Sequence, residues 1–144
     1  MGCDIHGVIQ IPLGVIQIPL GGVTTPYWVT VFQFEFIPRD YRIFGKLAGV
    51  RGIETPVVSP RGIPTDWRCS NEDHDLHECP FDGDAHTPTW LHPDEYRQVL
   101  EWYREQEDRW PENDDLNLAC YAAIGAALDA LHEIPARLVV WFDN

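Results

Sequence analysis

The chain has 144 residues, which suits a single domain over 1–144, and its 44% of apolar residues can fill a core without a disulfide or a metal. Its 23 acidic and 10 basic side chains give a formal net charge of −13. This excess of negative charge argues against a groove for duplex nucleic acid, because the phosphates would be repelled. Aromatic residues make up 12% of the chain, which excludes a disordered protein.

The sequence favours a cytoplasmic protein with reduced thiols. Its start lacks the charged and apolar regions of a signal peptide, and its four cysteines are not spaced like those of a small secreted scaffold. The apolar stretch near the start is interrupted by Gln, Pro and Gly, and the one near residue 120 is amphipathic. We therefore expect no bilayer partner.

The first predicted strand spans 5–11, which is rich in β-branched residues. It overlaps a duplicated heptad, GVIQIPL, which occupies 7–13 and again 14–20. Proline cannot donate to the ladder of a central strand, so we expect the second copy to extend a hairpin or an edge as a surface arm. An exposed apolar arm over 7–20 favours pairing with a second subunit, and we expect a homo-oligomer.

Three residues at the start of this strand could carry chemistry. Alternation places Asp4 and His6 on one face and Cys3 on the other. An Asp4–His6 pair could orient the imidazole for base catalysis, hold a metal together with further ligands, or serve the structure alone. A nucleophilic thiol is better sought at Cys3 than at Cys120, which lies on the apolar face of a predicted helix.

A second strand is predicted over 27–36 and a short helix over 41–48, between the N-cap Asp40 and Gly49. Alternation places five residues of the strand on one face: Trp28, Thr30, Phe32, Phe34 and Phe36.

The basic side chains are concentrated in one segment, 39–68, where six of them accompany three acids for a net +3. Glycine and proline turns in this segment constrain its arginines in a way that suits phosphate recognition, and its aromatic rings could stack on a base. The alternative is that the arginines pair with the protein's own acids. The candidate ligand-binding residues are Arg39, Tyr41, Arg42, Arg51, Arg61, Trp67, His6 and Trp90.

Residues 53–92 are rich in proline and polar side chains and predict one long irregular loop, a feature that is usually functional in a small domain. Its soft and imidazole side chains could bind zinc, but the gaps between them are irregular and the stretch is crowded with acids, which favours a solvated loop without a metal. The zinc ligands would be Cys69, His74, His77 and Cys79.

An enzymatic role would depend on the histidines, each with a neighbouring acid as partner. The candidate acid–base residues are His6, Asp4, His86 and Asp73. The chain has no Gly-Lys-Ser/Thr loop, no dinucleotide fingerprint and no serine elbow, so we expect no cofactor and assign no catalytic residue on the sequence alone.

Two main helices are predicted, from Pro93 to about Arg109 and from Asp114 or Asp115 to before Pro135, followed by a strand over 137–142. The inward face of the later helix is predicted to carry Leu116, Cys120, Ile124, Leu128 and Leu131. The expected fold is α+β: a small antiparallel sheet, with strands near both termini, two main helices packed on one side and a long irregular loop.

Several segments together resemble a group of small uncharacterised bacteriophage proteins. These segments are the opening MGCDIH and residues 39–52, 60–64, 86–91 and 137–144, the last reading RLVVWFDN. The resemblance spans both ends and the middle of the chain, whereas the duplicated heptad departs from it. It implies a phage origin, and so the cytoplasm of an infected bacterial host, rather than a particular activity.

Small accessory phage proteins often counter host defences that signal through cyclic or ADP-ribose-derived nucleotides. We therefore expect a protein that binds and sequesters a small phosphorylated nucleotide. Two alternatives stay open. One is a hydrolase or phosphodiesterase that cleaves such a nucleotide, and the other is an acidic inhibitor of a host protein that uses residues 69–144, at net −14.

Overall fold

The computed structural model of the protein describes residues 2–17, 24–35, 37–67, 83–106 and 114–144. Its strands are β1 (Asp4–Gln17), β2 (Thr24–Phe34), β3 (His86–Leu91) and β4 (Arg137–Asp143). Its helices are α1 (Tyr41–Ala48), α2 (Pro93–Glu105) and α3 (Asp114–Ala130), with a 3-10 turn at Val50–Gly52. No helix in these ranges is long and apolar enough to cross a membrane.

The strands form one antiparallel sheet in the order β2-β1-β4-β3, and the three helices pack on one of its faces. The predicted α+β fold, with strands near both termini, is therefore confirmed. Residues that fall in the predicted long loop contribute the strand β3, so that loop does not run unbroken to residue 92.

The inner strand β4 is buried on both faces, as its nearly continuous apolar sequence requires. Leu138, Val140 and Phe142 lie in the main core against the helices, whereas Val139 and Trp141 lie in a smaller cluster on the opposite face. Each fully buried side chain of this size contributes about 1.5–3 kcal/mol. Both sheet faces therefore help to hold β4 in place.

Helix α1 begins and ends where the sequence predicts. The side chain of Asp40 accepts a hydrogen bond from the Arg42 backbone N–H at 3.0 Å, which caps the first turn. Gly49 adopts a left-handed φ of 69° and donates its N–H to the Gly45 carbonyl at 2.7 Å, which ends the helix.

Tyrosines join the helices to each other. The Tyr96 hydroxyl of α2 donates to the Tyr121 carbonyl of α3 at 2.7 Å. The Tyr103 hydroxyl of α2 donates to the Asp40 carboxylate at 2.6 Å, beside the start of α1. Because these bonds are buried or partly buried, they fix the helices in register over the sheet.

Strand β2 does not keep one face along its length. Ile9 pairs with Phe32 but Gln10 pairs with Thr30, so Val31 is an extra residue in β2 and forms a bulge. The bulge moves Trp28 and Thr30 to the face opposite Phe34, although simple alternation predicts one shared face.

The end of α2 and the inward face of α3 differ from the sequence prediction. Helix α2 ends at Glu105 rather than near Arg109. In α3, Ile124 and Leu128 are buried as expected, but Leu116 is 64% exposed because the first turn extends beyond the sheet-facing core.

The two copies of the heptad have different neighbours. Residues 7–10 pair with both β2 and β4, whereas residues 15–17 pair with β2 alone. The described part of the second copy thus continues the β1–β2 pairing beyond the part of β1 that pairs with β4.

Candidate functional site

A cavity of about 540 Å³ opens at the end of the sheet where β4 begins. Trp28 of β2, Trp90 of β3 and Arg137 of β4 line it, together with the start of α2 and the end of α3. We call this cavity the tryptophan pocket. Its volume falls within the range of about 300–1,000 Å³ that is usual for small-molecule sites.

Arg137 and Asp66 form a fixed polar wall of the pocket. Arg137 is only 5% exposed, and its Nε and Nη2 donate to the Gln10 Oε1 at 3.0 and 2.8 Å. Its Nη1 donates to Asp66 Oδ1 at 2.6 Å, and Trp28 Nε1 donates to Asp66 Oδ2 at 2.7 Å. The guanidinium carbon lies 3.9 Å from the centroid of the Trp28 ring. Strands β1, β2 and β4 therefore hold this group in one geometry.

The Asp66–Arg137 pair remains charged although it is largely buried. Burial alone would raise the pKa of Asp66, but the hydrogen bond and the charge of Arg137 outweigh it and hold that pKa below the ordinary 3.8. Burial lowers the pKa of Arg137, and Asp66 opposes this effect. An arginine stays protonated throughout the physiological pH range.

A second arginine holds Trp90. The guanidinium carbon of Arg61 lies 4.4 Å from the centroid of the Trp90 ring, and its Nη1 donates to the Trp90 carbonyl at 2.9 Å. Both Nη atoms donate to the Glu95 carboxylate at 2.6 Å. The His92 ring meets Trp90 edge-on, with 5.2 Å between centroids. Trp90 therefore presents a fixed ring to the pocket.

The rim of the pocket is charged and more adaptable. Arg97 of α2 is exposed, and it donates to Asp94 at 2.6 Å and to Asp129 at 3.1 Å. Exposed pairs of this kind stabilise a protein by less than about 1 kcal/mol, so an incoming anion can compete for Arg97. The N-terminus of α2, at Pro93, also opens here and favours negative charge.

The remaining wall is apolar. It comprises Leu128 and Leu131 near the end of α3 and Ile134, Pro135 and Ala136 before β4. A ligand would therefore meet an apolar surface on one side, indole rings on another and charges at the rim.

The sequence predicts arginines of the basic segment as ligands, and three of them are paired with acids of the protein. Arg39 donates to Asp4 at 2.5 and 3.0 Å, and Arg42 donates to Asp40 at 2.7 Å. Arg61 pairs with Glu95, as described above. These contacts show that the three arginines pair with acids of the protein itself, which is the alternative that the sequence left open.

The other candidates from the sequence are dispersed. Trp67 packs in the smaller cluster with Trp141 on the open side of the sheet. Arg51 is exposed and lies over the Tyr41 ring, with 4.2 Å from guanidinium carbon to centroid. Of the eight predicted ligand-binding residues, Trp90 alone lines the tryptophan pocket.

His6 has a partner, but not the one that the sequence suggests. Its Nε2 lies 2.8 Å from Asp143 Oδ2, and its ring stacks on Trp141 with 5.9 Å between centroids. Asp4 pairs with Arg39 instead. The pairing of β1 with β4 brings Asp143 beside His6, and local sequence could not show this.

His86 lies on the helix-covered face of the sheet, 3.7 Å from the Cys3 sulfur. The expectation that Cys3 and His6 occupy opposite faces holds, because Cys3 belongs to the main core. Asp73 and the possible zinc ligands Cys69, His74, His77 and Cys79 lie outside the described residues. Within the described ranges, no cluster of three or more His, Cys, Asp or Glu side chains could hold a metal ion.

Sequence reasoning missed the residues that form the pocket's polar wall. The sequence predicts Arg137 in the last strand and Trp28 in the second, but it assigns neither to a site. Asp66 lies 71 positions from Arg137, so only the folded chain reveals their pairing. One signal for this wall is present in the sequence. Arg137 is a charged residue at the start of an otherwise apolar strand, and a buried charge needs a partner.

No family model, curated protein or solved structure matches this chain.

Proposed function

We propose that the protein binds a small phosphorylated nucleotide in the tryptophan pocket. The observation that carries this proposal is the presence of two tryptophans with an arginine over each ring in one cavity of about 540 Å³. Indole faces are suitable stacking surfaces for a planar base. The rings cost little entropy to order on binding, because their neighbours already fix them.

The polar groups suit the rest of such a ligand. The carboxylates of Asp66 and Asp94 can accept hydrogen bonds from base amino groups or ribose hydroxyls. A phosphate would lie at the rim, where Arg97 and the N-terminus of α2 attract negative charge. The acids of the pocket oppose a highly charged ligand, so the proposal favours one or two phosphates over a triphosphate.

The biological role that we propose is sequestration of a nucleotide signal in an infected bacterium, as a phage counter-defence. This role needs a tight pocket and no chemistry. It rests on the phage resemblance of the sequence together with the character of the pocket.

The test is to incubate the purified protein with a panel of cyclic nucleotides and ADP-ribose derivatives and to remove unbound ligand. The protein is then denatured by heat and the released material is separated by chromatography. Recovery of an unchanged nucleotide supports sequestration, and recovery of an altered one assigns a hydrolase instead. If no nucleotide is retained, the proposal fails, and a pull-down from host lysate then tests the acidic-inhibitor alternative.

Two matched variants locate the ligand once one is retained. Arg97→Gln should weaken its binding by about 1.5–3 kcal/mol, because a charge-assisted contact to phosphate is lost. Arg104→Gln removes the same charge from the same helix but lies outside the tryptophan pocket, and it should leave the affinity unchanged. Equal effects of the two variants would place the ligand elsewhere.

The edge strand β2 supports the further proposal of a homo-oligomer. Its side chains Val31 and Phe32 are 47% and 40% exposed, and an apolar edge strand favours pairing with another chain. Sedimentation should show an assembly that Val31→Lys disrupts. A monomer at all concentrations would refute it.

A further inference from the structure

A second cluster of reactive side chains lies at the other end of β3, away from the tryptophan pocket. Cys3 Sγ and His86 Nε2 are 3.7 Å apart, on the helix-covered face of the sheet. The two residues are separated by 83 positions in sequence, so the fold brings a thiol and an imidazole together from distant segments.

A third residue orients the imidazole. His86 Nδ1 lies 3.0 Å from the Thr87 hydroxyl oxygen. When Nδ1 donates its proton to that oxygen, Nε2 is left as an acceptor and faces the thiol. The ring is also stacked on Phe142, with 6.1 Å between centroids and 27° between planes. A nucleophile within reach of a base that a third group orients is the usual arrangement in nucleophilic catalysis.

The backbone around this cluster is strained. Within the described ranges, the non-glycine residues with positive φ are Arg51, at 60°, and Thr87, at 48°. Thr87 is β-branched, for which this conformation is unfavourable, and an irregularity interrupts the pairing of β3 between His86 and Thr89. Strained residues of this kind concentrate at functional sites. Thr87 follows His86 directly in the chain, and Arg51 lies over the ring of Tyr41, whose hydroxyl bonds the Cys3 backbone.

Arg51 supplies a positive charge that acts on the thiol. Its guanidinium lies over the Tyr41 ring, and the Tyr41 hydroxyl accepts a hydrogen bond from the Cys3 backbone N–H at 3.1 Å. Burial raises the pKa of the Cys3 thiol, and Arg51 acts in the opposite direction. Asp4 and Asp143 raise that pKa and Arg39 lowers it, so these charges also bear on the reactivity of the thiol. The sulfur rests as a thiol, and a base must remove its proton during the reaction.

We infer that Cys3 and His86 are the nucleophile and the general base of an acyl-transfer site, with Arg51 as a positioning residue for an anionic group on the substrate. The substrate class is an ester with a carboxylate or phosphate near the reacting carbonyl. Because Cys3 is 1% exposed, side chains around it must shift to admit the substrate.

The reaction proceeds in two steps. In the first, the Cys3 sulfur forms a bond to the carbonyl carbon, the bond from that carbon to the leaving oxygen breaks, and the thiol proton passes through His86 Nε2 to the leaving oxygen. In the second, water attacks the thioester, the carbon–sulfur bond breaks, and His86 passes a proton from water to the sulfur. The products are an acid and an alcohol, and the thiol is regenerated.

The test uses two 4-nitrophenyl esters, the neutral acetate and the monosuccinate, which carries a carboxylate. Mass spectrometry of peptides then locates the acyl group. Cys3 should be acylated faster than Cys120, and faster by the monosuccinate than by the acetate. Absence of acyl-Cys3, or equal rates at Cys3 and Cys120, would overturn the inference.

Variants separate the roles of the residues. His86→Gln should slow acylation of Cys3 about 100-fold at neutral pH and leave a rate that rises steadily with pH, as for a thiol without a general base, while the rate at Cys120 stays unchanged. Arg51→Gln should slow the reaction of Cys3 with the monosuccinate more than its reaction with the acetate, because it removes both the contact to the carboxylate and a charge that favours the thiolate. An unchanged Cys3 rate in His86→Gln contradicts the assignment of the base.

If His86→Gln does not fold, Thr87→Val serves in its place, and it should shift the pH profile of Cys3 acylation and slow the reaction about tenfold. An unshifted profile there contradicts the role of the imidazole.

Discussion

Two acids of the tryptophan pocket differ sharply in what their removal should cost. Asp66 faces the guanidinium of Arg137, whose side chain is 6% exposed, whereas the side chain of Asp94 is 83% exposed. Asp66→Ala leaves a buried cation without its carboxylate, and we expect the free energy of unfolding to fall by about 3 kcal/mol. Asp94→Ala should change it by less than about 0.5 kcal/mol. Urea unfolding of both variants measures the difference.

Equal effects of these two substitutions would show that water reaches Arg137. The pocket would then lack the fixed polar wall that the proposed base recognition uses. The comparison therefore tests the architecture of the site without any ligand.

The carboxylate of Glu95 should also make the free energy of unfolding depend on pH. The hydrogen bond from Arg61 holds the pKa of Glu95 below its ordinary 4.5, although burial opposes this. A carboxylate whose pKa is lower in the folded protein than in the unfolded chain stabilises the fold when it is ionised. This stabilisation is fully present at pH values above the unfolded-state pKa, and it is lost as the pH falls through the folded-state pKa. Glu95→Gln should therefore be less stable than the natural chain at neutral pH, and the gap should narrow below about pH 4.5.

The control for this pH series is Glu105→Gln, an exposed residue of the same helix. Its unfolding free energy should follow that of the natural chain at every pH. A constant gap between Glu95→Gln and the natural chain would mean that Glu95 is not ionised in its pair with Arg61.

At the level of elements, the contact between β1 and β2 depends on a missing side chain. A Cβ at Gly7 would lie 2.2 Å from Phe34 Cζ and 3.0 Å from the Val139 carbonyl oxygen. Gly7→Ala should lower the free energy of unfolding by about 1–3 kcal/mol, because the Phe34 ring is buried and must shift. Adding Phe34→Leu should recover part of this loss, as a double-mutant cycle measured by urea unfolding would reveal. Strict additivity of the two changes would contradict the contact.

The sequence predicted those elements whose signals are local. Helix α1 was assigned to its end residues, because Asp40 and Gly49 act within one turn. The bulge at Val31 was missed because it depends on the pairing with β1, and it decides the face on which Trp28 lies. Strand β3 was missed because its short sequence contains a proline and follows a polar stretch. The candidate sites depend on these nonlocal features, so their geometry could not be predicted.

At the scale of the whole molecule, the two proposed sites lie at opposite ends of β3. His86 pairs with Phe142 and Trp90 pairs with Val139, and these partners are three residues apart on β4, which corresponds to about 10 Å. A nucleotide in the tryptophan pocket therefore need not block Cys3. Saturating the tryptophan pocket with a nucleotide should leave the rate of Cys3 acylation unchanged. Because the two sites are independent, a failure of the nucleotide-binding proposal can be distinguished from a failure of the acyl-transfer proposal.

The net charge of −13 should make the whole protein more stable in salt. Repulsion among the excess acids acts over long distances, and its range falls from about 30 Å at 0.01 M salt to about 3 Å at 1 M. Screening also weakens the exposed ion pairs, but these contribute little. We therefore expect Tm to rise as sodium chloride is added. Exchanging Glu101 and Glu105 for lysine reduces the negative charge by four, since both residues are exposed, and the gain in Tm should then be smaller. A Tm that falls with salt would mean that the ion pairs, rather than the repulsion, dominate the electrostatics of the fold.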